Sequence, residues 1–409
     1  MKKIHLMLLA ASTLAIAACA DDSGSPINPL APQSPATSRK LADLMTNYVS
    51  IGTSISMGWA DDGVVWSSQN NAWTKQLADE IGVEYSVPGI ADPGCQPPLA
   101  GFLIGFSRAD HTSAASSTVC AANLPGVTLP THNLAVENAT TAEALNATPA
   151  TASAGRGPVT SRVLPAGMTQ VSTMRSLHPT FVSVEFGGNE ILPAQVGLLY
   201  PGVTFTPLSV FESNYSRIID NVKATGAKAV LVSIRTDLRN FPTIRTGSEI
   251  ASQRAKFAAY NVSVAADCDE SPNFIFVRGK VLTAILTGAA LAAHGVGPYV
   301  LSCADVPGTL DYVLTPGDIT FLNGLADQMS DFIEGIAAEN GYAVFALGTL
   351  YNESKDGVPF DLDTYLKSAQ PYGELISLDG VHASGQGQAV LAKAARKAIQ
   401  HTYGGNRAD

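Results

Sequence analysis

The chain has 409 residues, 46% of them apolar and 15% charged, enough apolar material to bury a full core, which excludes a disordered chain. Acidic residues number 35 against 25 basic ones for a net charge of −10, and with no basic cluster there is nothing to hold a phosphate backbone, so nucleic acid is excluded as a partner. The charged fraction is below the roughly 25% of an average soluble domain, a bias common in exported proteins.

At the N-terminus Lys2 and Lys3 form a short positive region. The apolar stretch 4–18 that follows is too short to span a bilayer comfortably and ends in small residues, so 1–18 reads as an export signal. Its end, Leu14-Ala15-Ile16-Ala17-Ala18-Cys19, resembles the bacterial lipoprotein signal. The resemblance implies cleavage before Cys19, a lipid anchor on its sulfur and a place in the bacterial cell envelope. Ala20 after that cysteine implies the outer membrane, with its periplasmic or surface face left open. Segment 19–37 carries Pro26, Pro29, Pro32 and Pro35 among small polar residues and cannot pack a core. It is expected to run as an extended, partly polyproline tether reaching on the order of 50 Å.

From 38 to 409 the pattern is that of one α/β domain. Stretches 48–52, 181–186, 228–234 and 342–347 are short and apolar enough to be strands buried on both faces of a parallel sheet. Between them Trp73, Leu77 and Ile81 recur at a spacing of four, and Leu322, Leu325, Met329, Phe332, Ile333 and Ile336 mark one helical face. The latter helix has Thr315 as N-cap, Pro316 and Asp318 in its first turn and Gly341 beyond its end. Strand alternating with helix predicts a three-layer α/β/α sandwich. Two stretches exceed a minimal unit: insertions are expected near 88–157 and 265–310. The apolar run 279–300 is interrupted by Gly288, His294, Gly295, Gly297 and Pro298, which favours a buried helix, or a flap beside the site, over a membrane span.

Cys19 aside, the cysteines are Cys95, Cys120, Cys268 and Cys303, an even number that reads as two disulfides in an oxidising compartment. Three connectivities are open, and pairing of neighbours is the simplest, since each pair would staple a Gly-, Ala- and Pro-rich segment. No spacing suggests a metal site, and no cofactor is called for.

Reactive groups in an open parallel sheet belong at the carboxyl ends of the strands. There Tyr48-Val49-Ser50-Ile51-Gly52-Thr53-Ser54 runs from a strand into a turn that places Ser54 as a nucleophile, although a serine in this position also caps helices. Gly187-Gly188-Asn189-Glu190 follows a later strand, where Asn189 offers a neutral amide to a developing oxyanion or serves simply as a turn residue. Asp379-Gly380-Val381-His382 spaces a carboxylate to reach one imidazole nitrogen while the other faces outward, although Asp-x-x-His also arises by chance.

Together, in this order, the three blocks resemble the SGNH hydrolases, also called GDSL esterases and lipases, and in particular their bacterial lipoprotein branch. The family's Gly-Asp-Ser block matches Gly52-Thr53-Ser54, its Gly-x-Asn-Asp block matches 187–190, and its Asp-x-x-His block matches 379–382. The stretch 69–73, followed by Leu77-Ala78, is similar to the segment after the nucleophile in that branch. The resemblance implies a central five-stranded parallel sheet of flavodoxin-like type and a carboxylic ester hydrolase working through an acyl-enzyme. Ser54, His382 and Asp379 would be its triad, and Ser54, Asn138 and Asn189 its oxyanion donors. Asn138 stands where the family has glycine, with Gly89 and Gly94 as fallbacks; Thr53 and Glu190 replace aspartates outside the triad. Substrates would be small-molecule, lipid or glycan esters. An envelope-glycan acyl transferase or deacetylase and a catalytically silent surface-binding lipoprotein are the rival readings.

Overall fold

The structure, a computed structural model, describes residues 35–404 apart from 106, 114, 115, 154 and 356–358. The export signal over 1–18, Cys19 and the tether as far as 34 lie outside the described residues. Helix α1 (Pro35–Leu44) already starts at Pro35, so the last residues of 19–37 are helical rather than extended. Proline suits a first helical turn, where its missing N–H leaves no bond unmade.

Strands β1 (Tyr48–Gly52), β2 (Phe181–Glu185), β3 (Lys228–Ser233) and β4 (Ala343–Ala346) form a parallel sheet in the order β1-β2-β3-β4. The expected fifth strand is not regular. Segment 132–136 lies along the other edge of β1, with a single parallel bridge between Ser50 and Asn133. Ser50 N–H donates to His132 O at 3.0 Å, and the N–H groups of Leu134 and Val136 donate to Ser50 O and Gly52 O at 2.9 and 3.1 Å. The rung that is missing is the Gly52 N–H, which donates to the Gln170 side-chain oxygen at 2.9 Å instead of to this segment. With this segment on one side of β1 and β2 on the other, the chain reverses direction across the sheet at β1, and such a reversal opens a crevice at the carboxyl ends of the strands.

Successive strand residues alternate between two cores, which is why these strands are apolar throughout. On one face Tyr48, Phe181, Val230, Val232, Ala343 and Phe345 pack with Trp73 and Leu77 of a helix, Trp73–Ile81, and with Leu391 and Ala395 of another, Gly385–Tyr403. On the other face Val49, Ile51, Val182, Val184, Ala229 and Leu231 pack with Phe211 and Tyr215 of Leu208–Thr225 and with Leu322, Met329 and Ile333 of Pro316–Asn340. The last helix starts with a reciprocal cap. Thr315 Oγ1 accepts the Asp318 N–H at 3.2 Å and Asp318 Oδ2 accepts the Thr315 N–H at 2.8 Å.

Cys95 is bonded to Cys120 and Cys268 to Cys303. Stretch 88–157 is only partly a surface insertion, because Leu134, Ala135 and Ala144 near its end are fully buried. The apolar run expected at 279–300 supplies most of a helix, Val277–Ala293, which buries Val281, Ala284 and Ile285 and leaves Leu286 exposed. Among the described residues no helix is long and apolar enough to cross a membrane.

Candidate active site

The site forms where β1 and β2 end. Register sets Gly52 opposite Glu185, the last residue of β2. The Glu185 carboxylate accepts the Thr53 N–H at 2.9 Å and the Ser56 N–H at 3.3 Å, together with the Thr53 and Ser56 hydroxyls at 2.9 and 3.0 Å. A Cβ at Gly52 would stand 3.0 Å from both Glu185 Oε2 and Ser56 Oγ, so glycine there makes room for the carboxylate. Burial pushes the Glu185 carboxyl up, against hydrogen bonds that favour its charge. This cradle fixes helix α2 (Ser54–Met57), whose first residue is Ser54.

The Asp379-Gly380-Val381-His382 block is shaped by its own side chain. Asp379 Oδ1 accepts the N–H groups of Val381 and His382 at 2.9 and 2.8 Å, winding the four residues into a turn. Gly380 adopts φ +77° inside that turn, and a Cβ on it would stand 2.1 Å from Thr243 Cγ2, so no other residue fits. The turn leaves Asp379 Oδ2 3.0 Å from His382 Nδ1. His382 Nε2 lies 2.8 Å from Ser54 Oγ. Ser54 thus joins Asp379 and His382, more than 300 positions further on, in one hydrogen-bonded run.

Charge is arranged along it. Burial disfavours the Asp379 carboxylate, but His382, Arg278 and its backbone donors outweigh burial and hold it well below the usual carboxylate range. Burial also disfavours a protonated His382, yet the Asp379 charge and hydrogen bond, with help from Asp62 and Glu137, lift it above the ordinary imidazole value. With Asp379 ionised, the proton sits on Nδ1 and Nε2 is free to accept from the serine hydroxyl.

Asn189 lies in the tight turn Gly188–Glu190, and its amide Nδ2 donates to Ala139 O at 3.0 Å. It lines, with Ser54 and His382, a hollow of about 70 Å³ whose walls include Ile55, Ile191, Ile234, Leu238, Phe241 and Tyr351. The arrangement couples a hydroxyl to a base beside a slot that suits hydrocarbon. Asn138 is left-handed at φ +54° and exposed, and its carbonyl accepts Arg156 Nη1 at 2.7 Å. It lines the adjoining cavity of about 660 Å³, which Asn189 also borders. The Gly94 N–H donates to Ala91 O at 3.0 Å, and the Gly89 and Gly94 carbonyls accept the Leu124 and Ala121 N–H groups at 2.7 and 3.0 Å, inside the insertion. Glu190 is buried, accepts the Thr141 N–H at 2.7 Å, and is pushed by burial to about 7.

Sequence reasoning missed Glu185, although a carboxylate closing an otherwise apolar strand was a visible signal. It also missed Asp62, whose backbone N–H donates to Asp379 Oδ2 at 2.9 Å and which no local pattern marks.

No protein-family profile matches the chain, and no curated protein matches it. Among solved structures it is similar to TesA, at 12% sequence identity and a TM-score of 0.36, over 87% of this chain and 98% of that one. A likeness this slight leaves the chemistry to be argued from the residues themselves.

Proposed function

We propose that the chain is a serine hydrolase of carboxylic esters, of the SGNH type. The observation that carries the reading is the run from Ser54 Oγ through His382 to Asp379, with links of 2.8 and 3.0 Å, opening on an apolar hollow. Ser54 Oγ attacks the ester carbonyl and passes its proton to His382 Nε2. Asp379 holds the imidazole tautomer and offsets the charge formed on the ring. The Ser54 N–H, the Asn189 amide and the Asn138 N–H take the oxyanion, and the left-handed backbone at Asn138 supports its standing in for glycine. Collapse expels the alcohol, protonated by His382, and leaves an acyl group on Ser54. Water activated by His382 then releases the acid and restores the serine.

Turnover of p-nitrophenyl esters of increasing chain length, compared with Ser54→Ala, tests the reading. Hydrolysis by the parent and none above background by the variant is expected; parental activity in a folded variant overturns it. Product analysis with and without a sugar acceptor separates hydrolysis from acyl transfer. The reading includes lipid anchoring at Cys19 in the cell envelope, on sequence grounds. Cys19→Ala should abolish fatty-acid labelling, and labelling that persists removes the anchor from the proposal.

A further inference from the structure

Two regions remote in sequence converge behind the Asp379 turn. Arg108 lies in the loop closed by Cys95 and Cys120, and its side chain is wholly buried. Its Nη2 donates to Asp62 Oδ2 at 2.7 Å, and its Nη1 to Asp62 O and Pro97 O at 3.2 and 2.8 Å. Gln96, from the same loop, adds Nε2 at 3.0 Å from Asp62 Oδ2. From the other side comes Arg278 of the helix Val277–Ala293. Its Nη2 is 3.2 Å from the same Asp62 oxygen, and its Nη1 donates to Asp379 O at 3.1 Å.

Asp62 passes this grip on. Its backbone N–H reaches Asp379 Oδ2, the oxygen that faces His382 Nδ1. Beside it Asp61 N–H donates to Ser377 Oγ at 3.0 Å, and Asp61 Oδ1 accepts the Leu378 N–H at 2.8 Å. Both aspartates are left-handed, at φ +54° and +59°, a conformation that costs energy outside glycine and persists only where the surroundings impose it. A buried guanidinium is costly unless its partners are in place, so Arg108 and Asp62 need one another.

We propose that Asp62, Arg108 and Arg278 are positioning residues for the Ser54–His382–Asp379 run: the arginines hold Asp62, and Asp62 holds Asp379 in line with His382 and adds negative charge behind the imidazole. This rests on the hydrolase reading of that run. The acidic groups acting on His382 are Asp379, Asp62, Glu137 and Asp61, and the two arginines stand behind Asp62. Burial brings Glu137 to about 7 and Asp61 to about 6, so they titrate in the same window and only variant against parent isolates Asp62.

Asp62→Asn keeps the backbone N–H and removes the charge. In the full-length protein the His382 ring, followed by NMR, should titrate lower by roughly half a unit or more, and the acidic limb of kcat/KM should move with it. Arg108→Met should lower kcat on a short p-nitrophenyl ester on the order of tenfold to a hundredfold with KM nearly unchanged, because the reacting groups lose alignment. Arg278→Met, at a partly exposed arginine, gives the same reading should Arg108→Met not fold. An unmoved His382 titration in Asp62→Asn overturns the proposal, as does parental kcat in a folded arginine variant, even one with a lowered Tm. Activity surviving in Ser54→Ala instead overturns the hydrolase reading, and the NMR titration still reports on Asp62.

Discussion

At the scale of single residues, the proposed roles differ in what their loss should cost. Nucleophile and base act as a unit, so Ser54→Ala and His382→Ala should each lower kcat by at least about three orders of magnitude. Asn189→Ala removes one oxyanion donor and should lower kcat about a hundredfold. Steady-state kinetics on folded variants checks both, and an unchanged kcat would make Asn189 a turn residue only. The sign of the pH dependence follows from the charges. His382 must be neutral to accept the serine proton, and burial, which alone would ease its deprotonation, is outweighed by the Asp379 charge. Activity is therefore absent in the acid form, and kcat/KM should rise with pH through a midpoint above the usual imidazole value of about 6.5. Asp379, held well below the usual carboxylate range, stays ionised throughout and adds no limb of its own. A flat profile with chemistry rate-limiting counts against the mechanism. Ser54, Asn189 and the Asp379 turn were legible because each belongs to a short block; the turn is closed by bonds between residues two and three apart. Arg108 and Arg278 were illegible because each meets Asp62 only across the fold.

At the scale of elements, the long helix is written in its ends: the Thr315 and Asp318 cap and Gly341 at φ +62° bound it where the sequence pattern does. The 132–136 edge was not legible as a regular strand, since its ladder is interrupted by the Gly52 N–H bonding to Gln170, a partner more than 100 residues away. The two disulfides close spans of 25 and 35 residues. The chain-entropy estimate for such loops is roughly 3.5 to 4 kcal/mol each. Cys268→Ala with Cys303→Ala should lower stability by up to that amount, measured by urea denaturation. Cys95→Ala with Cys120→Ala should also lower kcat, because its loop delivers Arg108 and Gln96 to Asp62. Equal kinetic effects of the two bridges would contradict that distinction.

For the whole molecule, stability couples to pH through a buried acid. Glu190, fully buried and bonded to the Thr141 N–H, is raised by burial to about 7. The folded state therefore binds this proton more tightly than the unfolded chain, and stability falls as pH rises from the ordinary glutamate range to about 7, then levels off. Gln in its place keeps an acceptor for Thr141 and cannot ionise. Glu190→Gln should accordingly lose less Tm than the parent between about pH 5 and about pH 8. Parallel melting curves at all pH values would mean that Glu190 does not drive the effect.

What the sequence by itself determined is the alternation of buried strands with helices, the caps of the long helix and the blocks that carry Ser54, Asn189 and His382. These depend on periodicity and on bonds between near neighbours, which are written locally. Only the tertiary structure decided that the fifth edge is irregular, that Glu185 cradles the Ser54 helix and that Asp62 joins two distant arginines to Asp379. Burial and charge pairing across the fold depend on which segments meet, and no local pattern records that.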